Sequence, residues 1–133
     1  QIINLLIDLR KKFNLAYLFI AHDLSLVQFI SDKIAVMYLG KILEYSSAEL
    51  IHLEAKHPYT RILIDAVPSI EVKEKRKKID ILGIDLTDPM NPPSGCRFRT
   101  RCPLAQKICA EKEPLLRNIK TSKNPHFVAC HYV

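Results

Sequence analysis

Glycine is scarce in this 133-residue chain: Gly40, Gly83 and Gly95 are all there is. That scarcity excludes chemistry. A Gly-x4-Gly-Lys-Ser/Thr phosphate cradle cannot be built from these three, and Lys41 after Gly40 is not such a loop. A Gly-x-Ser-x-Gly nucleophile elbow is missing as well. The chain therefore lacks the parts of a self-sufficient NTPase or hydrolase. No apolar run reaches the roughly 20 residues that span a bilayer. The net charge is +6, from 20 Lys and Arg against 14 Asp and Glu. Aromatic residues are not interleaved with the basic ones and no nucleic-acid motif occurs, so a mildly basic surface is the reading and nucleic acid is not an expected partner.

What is present starts with a helical pattern. Ile2, Leu5, Leu6, Leu9 and Phe13 recur at helical spacing, Asp8 and Lys12 stand four apart, and Asn14 is a stop. Gln1 already lies inside this pattern, which reads as a piece of a longer protein. Tyr17-Leu18-Phe19-Ile20-Ala21 then runs without a charge into His22-Asp23, the pattern of a strand buried on both faces of a parallel sheet. Ligands of such sheets bind at the carboxyl ends of the strands, where His22 would sit. The plainer alternative makes Asp23 the N-cap of a helix over Leu24–Ile30 and His22 only its neighbour.

Lys33–Tyr38 and Lys41–Tyr45 read as a hairpin turning at Leu39-Gly40. Ser46-Ser47 can cap a helix carrying Leu50, Ile51 and Leu53, with Glu49 in its first turn. Pro58 opens another, with Ile62, Leu63 and Ala66 facing inward and Pro68 ending it. Residues 71–78 are a charge run, read as a solvated connector. Beyond it prolines multiply and all four cysteines appear. A boundary near residue 70 divides an α/β part, 1–70, from a small irregular module, 71–133, that needs a staple.

Cys96, Cys102, Cys109 and Cys130 are separated by five, six and twenty residues. Three chemistries fit such a set. Two disulfides suit a secreted mini-domain. A four-cysteine zinc site would staple the module, although its cysteines usually come in closer pairs. An iron–sulfur cluster tolerates wider, irregular spacing. A metal centre is the preferred class, with the metal left open. Pro103–Ile108 fits a short helix that would put Cys102 and Cys109 on one face. Arg97, Arg99 and Arg101 either offset thiolate charge or are plain surface. His131 beside Cys130 is a substitute ligand or a terminal surface residue. His52 and His126 show no partner by spacing, and His57-Pro58-Tyr59 reads only as a helix start.

Several stretches together resemble one family. Leu18-Phe19-Ile20-Ala21-His22-Asp23-Leu24-Ser25-Leu26-Val27 resembles the switch-histidine segment of ABC transporter ATPases, and residues 35–42 resemble the hairpin after it. Lys56-His57-Pro58-Tyr59-Thr60-Arg61 is similar to the His-Pro-Tyr signature of the oligopeptide and dipeptide importers. Residues 91–98 and Ala129-Cys130-His131 resemble that subfamily's C-terminal extension. The resemblance covers nearly the whole chain, with the motifs in family order.

The resemblance implies an α/β fold, the C-terminal part of a P-loop ATPase domain followed by the cysteine-bearing extension. It implies a prokaryotic importer subunit on the cytoplasmic face of the membrane, working with permease subunits, a second ATPase subunit and, indirectly, a substrate-binding protein. His22 would contact the γ-phosphate of ATP/Mg and help orient the attacking water. The cysteines match positions that hold a four-iron four-sulfur cluster in some members, with zinc as the second choice. Departures also stand out. The Walker A loop, Q-loop, signature motif, Walker B strand and catalytic glutamate are not in these residues, so the chain by itself is expected to be inactive. Ser46 stands where the family often has Gly, and Ala55 where it often has Pro. A free-standing metal-binding or regulatory module that kept these motifs is the alternative.

Overall fold

A computed structural model describes residues 1–22, 24–67 and 88–133. The charge run, Pro68 and the capping role of Asp23 lie outside the described residues.

The hairpin is where alternation in the sequence becomes burial. In β1 (Lys33–Tyr38) Ile34 and Val36 turn inward while Lys33, Ala35 and Met37 face water. β2 (Lys41–Ser47) pairs with it antiparallel from Lys33↔Ser47 to Tyr38↔Lys41, with a register shift between Val36 and Met37. Both turn residues are left-handed, Leu39 at φ 45° and Gly40 at φ 76°, as a two-residue hairpin requires. Glycine adopts that conformation freely. Leu39 is held in it by Arg97, whose guanidinium donates to the Leu39 carbonyl oxygen. Leu43 and Glu44 stand at that register shift and both are buried, so the bulge lets two adjacent side chains turn inward.

The cover comes from two directions. α1 (Ile2–Phe13) ends at Asn14, φ 52°, whose N–H returns to the Arg10 carbonyl. After α2 (Leu24–Ile30) and the hairpin, the Ser47 hydroxyl accepts the Leu50 N–H at 3.3 Å and starts α3 (Ala48–Glu54). α4 (Pro58–Asp65) follows. Ile51, Ala55 and Ile64 pack on Ile34 and Val36 as one apolar cluster. Residues after 88 supply α5 (Lys107–Glu111), β3 (Arg117–Asn118) and β4 (Phe127–Val128). β4 pairs with β2 through Glu44↔Val128 and Tyr45↔Phe127, giving an antiparallel sheet in the order β1-β2-β4-β3. A second cluster joins Leu43 to Cys96, Phe98 and Cys109, with Tyr38, Tyr59 and Ile62 against it. Among the described residues no helix is long and apolar enough to cross a membrane.

Three expectations are corrected. Residues 17–21 form no strand, and Leu18 and Ile20 are 90% and 94% exposed. A parallel strand needs neighbours for its backbone N–H and C=O groups, and none of the described strands lies beside it. The helix expected over 103–108 begins instead at Lys107. Ala105 N–H closes a turn on the Cys102 carbonyl and Gln106 is extended. A continuous helix from 102 to 109 would hold those sulfurs about 10 Å apart along its axis; the break folds them back toward each other. On α4 Ile62 and Leu63 pack inward as expected and Ile64 is buried beside them, while Ala66 is exposed.

Candidate functional site

The four cysteines line one small cavity, together with His57, Phe98, Arg99, His131 and Tyr132. Backbone geometry sets this up. Gly95, at φ 66°, lets the chain approach so closely that Cys96 N–H bonds the Cys109 carbonyl at 2.7 Å. A Cβ at residue 95 would stand 2.3 Å from that same oxygen. Cys96 and Cys109 are thereby tied side by side, Cys102 enters from the turn before α5, and Cys130 from the segment after β4.

All four are free thiols. Burial pushes the Cys96, Cys102 and Cys130 thiols up. Backbone N–H groups two residues on pull the other way, from Phe98 to Cys96, Leu104 to Cys102 and Tyr132 to Cys130. Donors aimed at sulfur favour the thiolate, the form that ligates metal. Among the described residues, no three Cys, His, Asp or Glu side chains are arranged to hold a metal ion. Four thiolates on one zinc would need sulfurs within about 4 Å of one another, since each Zn–S bond is about 2.3 Å. The thiols share a cavity without that spacing.

Beside the cavity lies a buried polar hub centred on Glu44, fully buried in β2. Its carboxylate accepts Lys56 N–H at 2.7 Å, His57 N–H at 3.0 Å and His126 Nε2–H at 2.6 Å. His57 is the N-cap of α4, its Nδ1 accepting Tyr59 N–H at 3.1 Å. Burial lowers its pKa to about 4, the nearby Glu44 charge offsetting only part of that effect. Ser46 Oγ donates to the Pro125 carbonyl at 2.9 Å, a second tie between β2 and the segment carrying His126.

The other expected residues fall as follows. His22 is exposed at a bend before α2, apart from the cysteine cavity. Arg97 holds the hairpin turn, Arg99 Nε donates to the Ser94 carbonyl on the cavity wall, and Arg101 is half-buried. His131 Nε2–H is spent on the Lys112 carbonyl at 3.0 Å. His52 is paired with Gln28 through Nδ1 at 2.9 Å.

A family model described as the oligopeptide/dipeptide transporter, C-terminal region, matches residues 43–109. The chain belongs to that family. The chain is 47% identical to the oligopeptide transport ATP-binding protein AppF of Bacillus subtilis, with 98% of this chain covering 39% of AppF. It is equally 47% identical to the oligopeptide transport ATP-binding protein OppF of Haemophilus influenzae, again over 98% of this chain and 39% of the relative. The chain thus spans about two fifths of the length of the curated relatives it matches. Within this transporter C-terminal region the matched span takes in Glu44, His57 and three of the cysteines, leaving His126 and Cys130 beyond it. Glu44 and His126 were not singled out by sequence reasoning. The available signal was a lone carboxylate between Leu43 and Tyr45 in an apolar strand, because a charge at such a position survives burial only with partners.

Proposed function

We propose that this chain is the C-terminal portion of the ATP-binding subunit of an ABC importer for oligopeptides or dipeptides. The observation that carries it is the match of 98% of this chain to two oligopeptide transport ATP-binding proteins. In this reading residues 1–70 end a P-loop ATPase domain and 71–133 are the importer-type extension. His22 faces the γ-phosphate of ATP/Mg at the interface with a second ATPase subunit, and the assembly drives permease subunits from the cytoplasmic side, supplied by a substrate-binding protein. The exposure of His22 and of Leu18 and Ile20 supports this, as all three would face further protein or nucleotide.

The cysteine cavity fits a thiolate-bound group: four free thiols, enclosing walls and N–H donors at sulfur. Cys96, Cys102, Cys109 and Cys130 would hold a four-iron four-sulfur cluster, which gives each thiolate its own iron and does not require all four to meet at one ion. That favours the cluster over zinc. The bound group would supply strong iron–thiolate bonds that tie the turn before α5 to the segment after β4.

The test uses the full-length subunit with its permease partners. His22→Ala is expected to leave ATP binding largely intact and remove most turnover, since orienting water and stabilising charge count in the transition state. A variant with raised KM and unchanged kcat contradicts the assignment, because that pattern means lost uniform binding. The 133-residue chain alone, without a phosphate loop, is expected to show no turnover in the same assay.

A further inference from the structure

The Nδ1 of His57 caps α4, which leaves Nε2 of a ring that is 1% exposed and forms part of the cavity wall. We propose that His57 is the side-chain hydrogen-bond donor of the cysteine cavity, presenting Nε2–H to the sulfur of the bound cluster and raising its reduction potential. The proposal rests on the cluster reading and deepens it.

The argument begins with the proline. Pro58 has no N–H, so Tyr59 carries the first free donor at the start of α4, and it reaches back to His57 Nδ1 at 3.1 Å. A ring nitrogen that accepts a hydrogen bond carries no proton. The remaining proton of the imidazole is therefore on Nε2. Nε2 has no hydrogen-bond partner among the described residues, since the other bonds of His57 are made by its backbone. An N–H without a partner on a cavity wall is free to donate, and cluster sulfur is an acceptor the cavity would bring to it.

The ring cannot turn away from this duty easily. Its backbone N–H is fixed by Glu44, and its plane lies tilted against Phe98 with centroids 5.8 Å apart. His131, the other histidine on the wall, has its Nε2–H engaged by Lys112. The remaining N–H groups directed at sulfur belong to the backbone. One-electron reduction adds a negative charge to a cluster without making or breaking a bond. A donor at sulfur stabilises the reduced form more than the oxidised one.

The experiment uses the whole 133-residue chain reconstituted anaerobically with ferrous iron and sulfide. Iron and sulfide are counted, and dithionite titrations are followed by visible absorption. Two variants separate capping from donation. His57→Asn keeps a strong N-cap but is too short to place an N–H where Nε2 stands. His57→Gln weakens the cap but reaches that position with an amide N–H.

The expected result is an Asn variant harder to reduce by about tenfold in the reduced-to-oxidised ratio, which is 59 mV for one electron. The Gln variant should return most of the shift. Loading by Gln but not by Asn supports the same donor. Three equal potentials overturn the role of His57 while leaving the cluster reading intact. Loss of loading in both variants, with wild type loaded, makes His57 a structural cap and also overturns the donor. A wild-type chain that takes up no iron removes the cluster reading, and the proposal with it.

Discussion

Leu18 and Val36 both sit in apolar runs that read as strands, yet Leu18 is 90% exposed and Val36 is 5% exposed. Val36 belongs to a hairpin, and its partner Glu44 arrives eight positions later through a turn written in the same stretch. The run at 17–21 carries the composition of a strand buried among parallel neighbours, and parallel neighbours arrive only through long crossovers. None of the described strands supplies them. A hairpin decides its own burial. A parallel strand is buried by residues far away in the chain.

Substitutions can break that contrast. The largest effect is expected at the hub. Glu44→Ala removes the acceptor shared by Lys56, His57 and His126, leaving buried donors without partners. The expected loss is about 3–5 kcal/mol in urea unfolding. A loss below 1 kcal/mol would mean that water or a neighbour replaces the carboxylate, and β2 would no longer be the better-defended strand.

A somewhat smaller effect follows from His57. Its folded pKa, about 4, lies below the ordinary imidazole value of 6.5 because burial disfavours the charged ring. Between these values the unfolded chain binds a proton that the folded one refuses, so stability rises with pH. The contribution is complete above pH 6.5 and falls as pH drops through the window, by about 3 kcal/mol at pH 4. Comparing unfolding curves of wild type and His57→Gln across pH 7 to 4 isolates it. Parallel losses in the two proteins would assign the acid sensitivity to other groups.

The smallest effect sharpens the comparison most. Leu18→Asp together with Ile20→Asp should change the stability of this chain by no more than about 0.5 kcal/mol, because both side chains already face water. Val36→Asp should cost several times that, by burying a charge. Equal costs at the two places, measured in the same denaturant series, would erase the distinction between the regions.

Local signals in the sequence set the helix ends. α1 runs over the residues whose spacing predicts it, Asn14 stops it, Ser47 caps α3 and Pro58 opens α4. Each depends on contacts within a few residues. Cys96, Cys102, Cys109 and Cys130 line one cavity, and a turn with an extended Gln106 stands where the spacing predicts a helix. The bond from His126 to Glu44 was invisible because it spans 82 residues and neither histidine spacing nor periodicity encodes it. β3 and β4 have two residues each, too few for any alternation to register. The His-Pro-Tyr stretch looked like a helix start, which it is; its ring on the cavity wall follows only from where Glu44 holds its backbone.

The 82-residue span between Glu44 and His126 also bears on synthesis. β1 and β2 can close within microseconds once both have emerged. β4 is made much later: at 5–20 residues per second the ribosome takes roughly 4–16 s to add the intervening chain. Through that interval β2 is an edge strand with unpaired N–H and C=O groups, the kind of surface on which nascent chains aggregate. A carboxylate in the middle of that edge is a gatekeeper, because stacking a second copy against it would bury charge against charge. Glu44 therefore has two successive tasks: it keeps the waiting edge solitary during translation, and it then becomes the acceptor that recognises the right strand when His126 arrives.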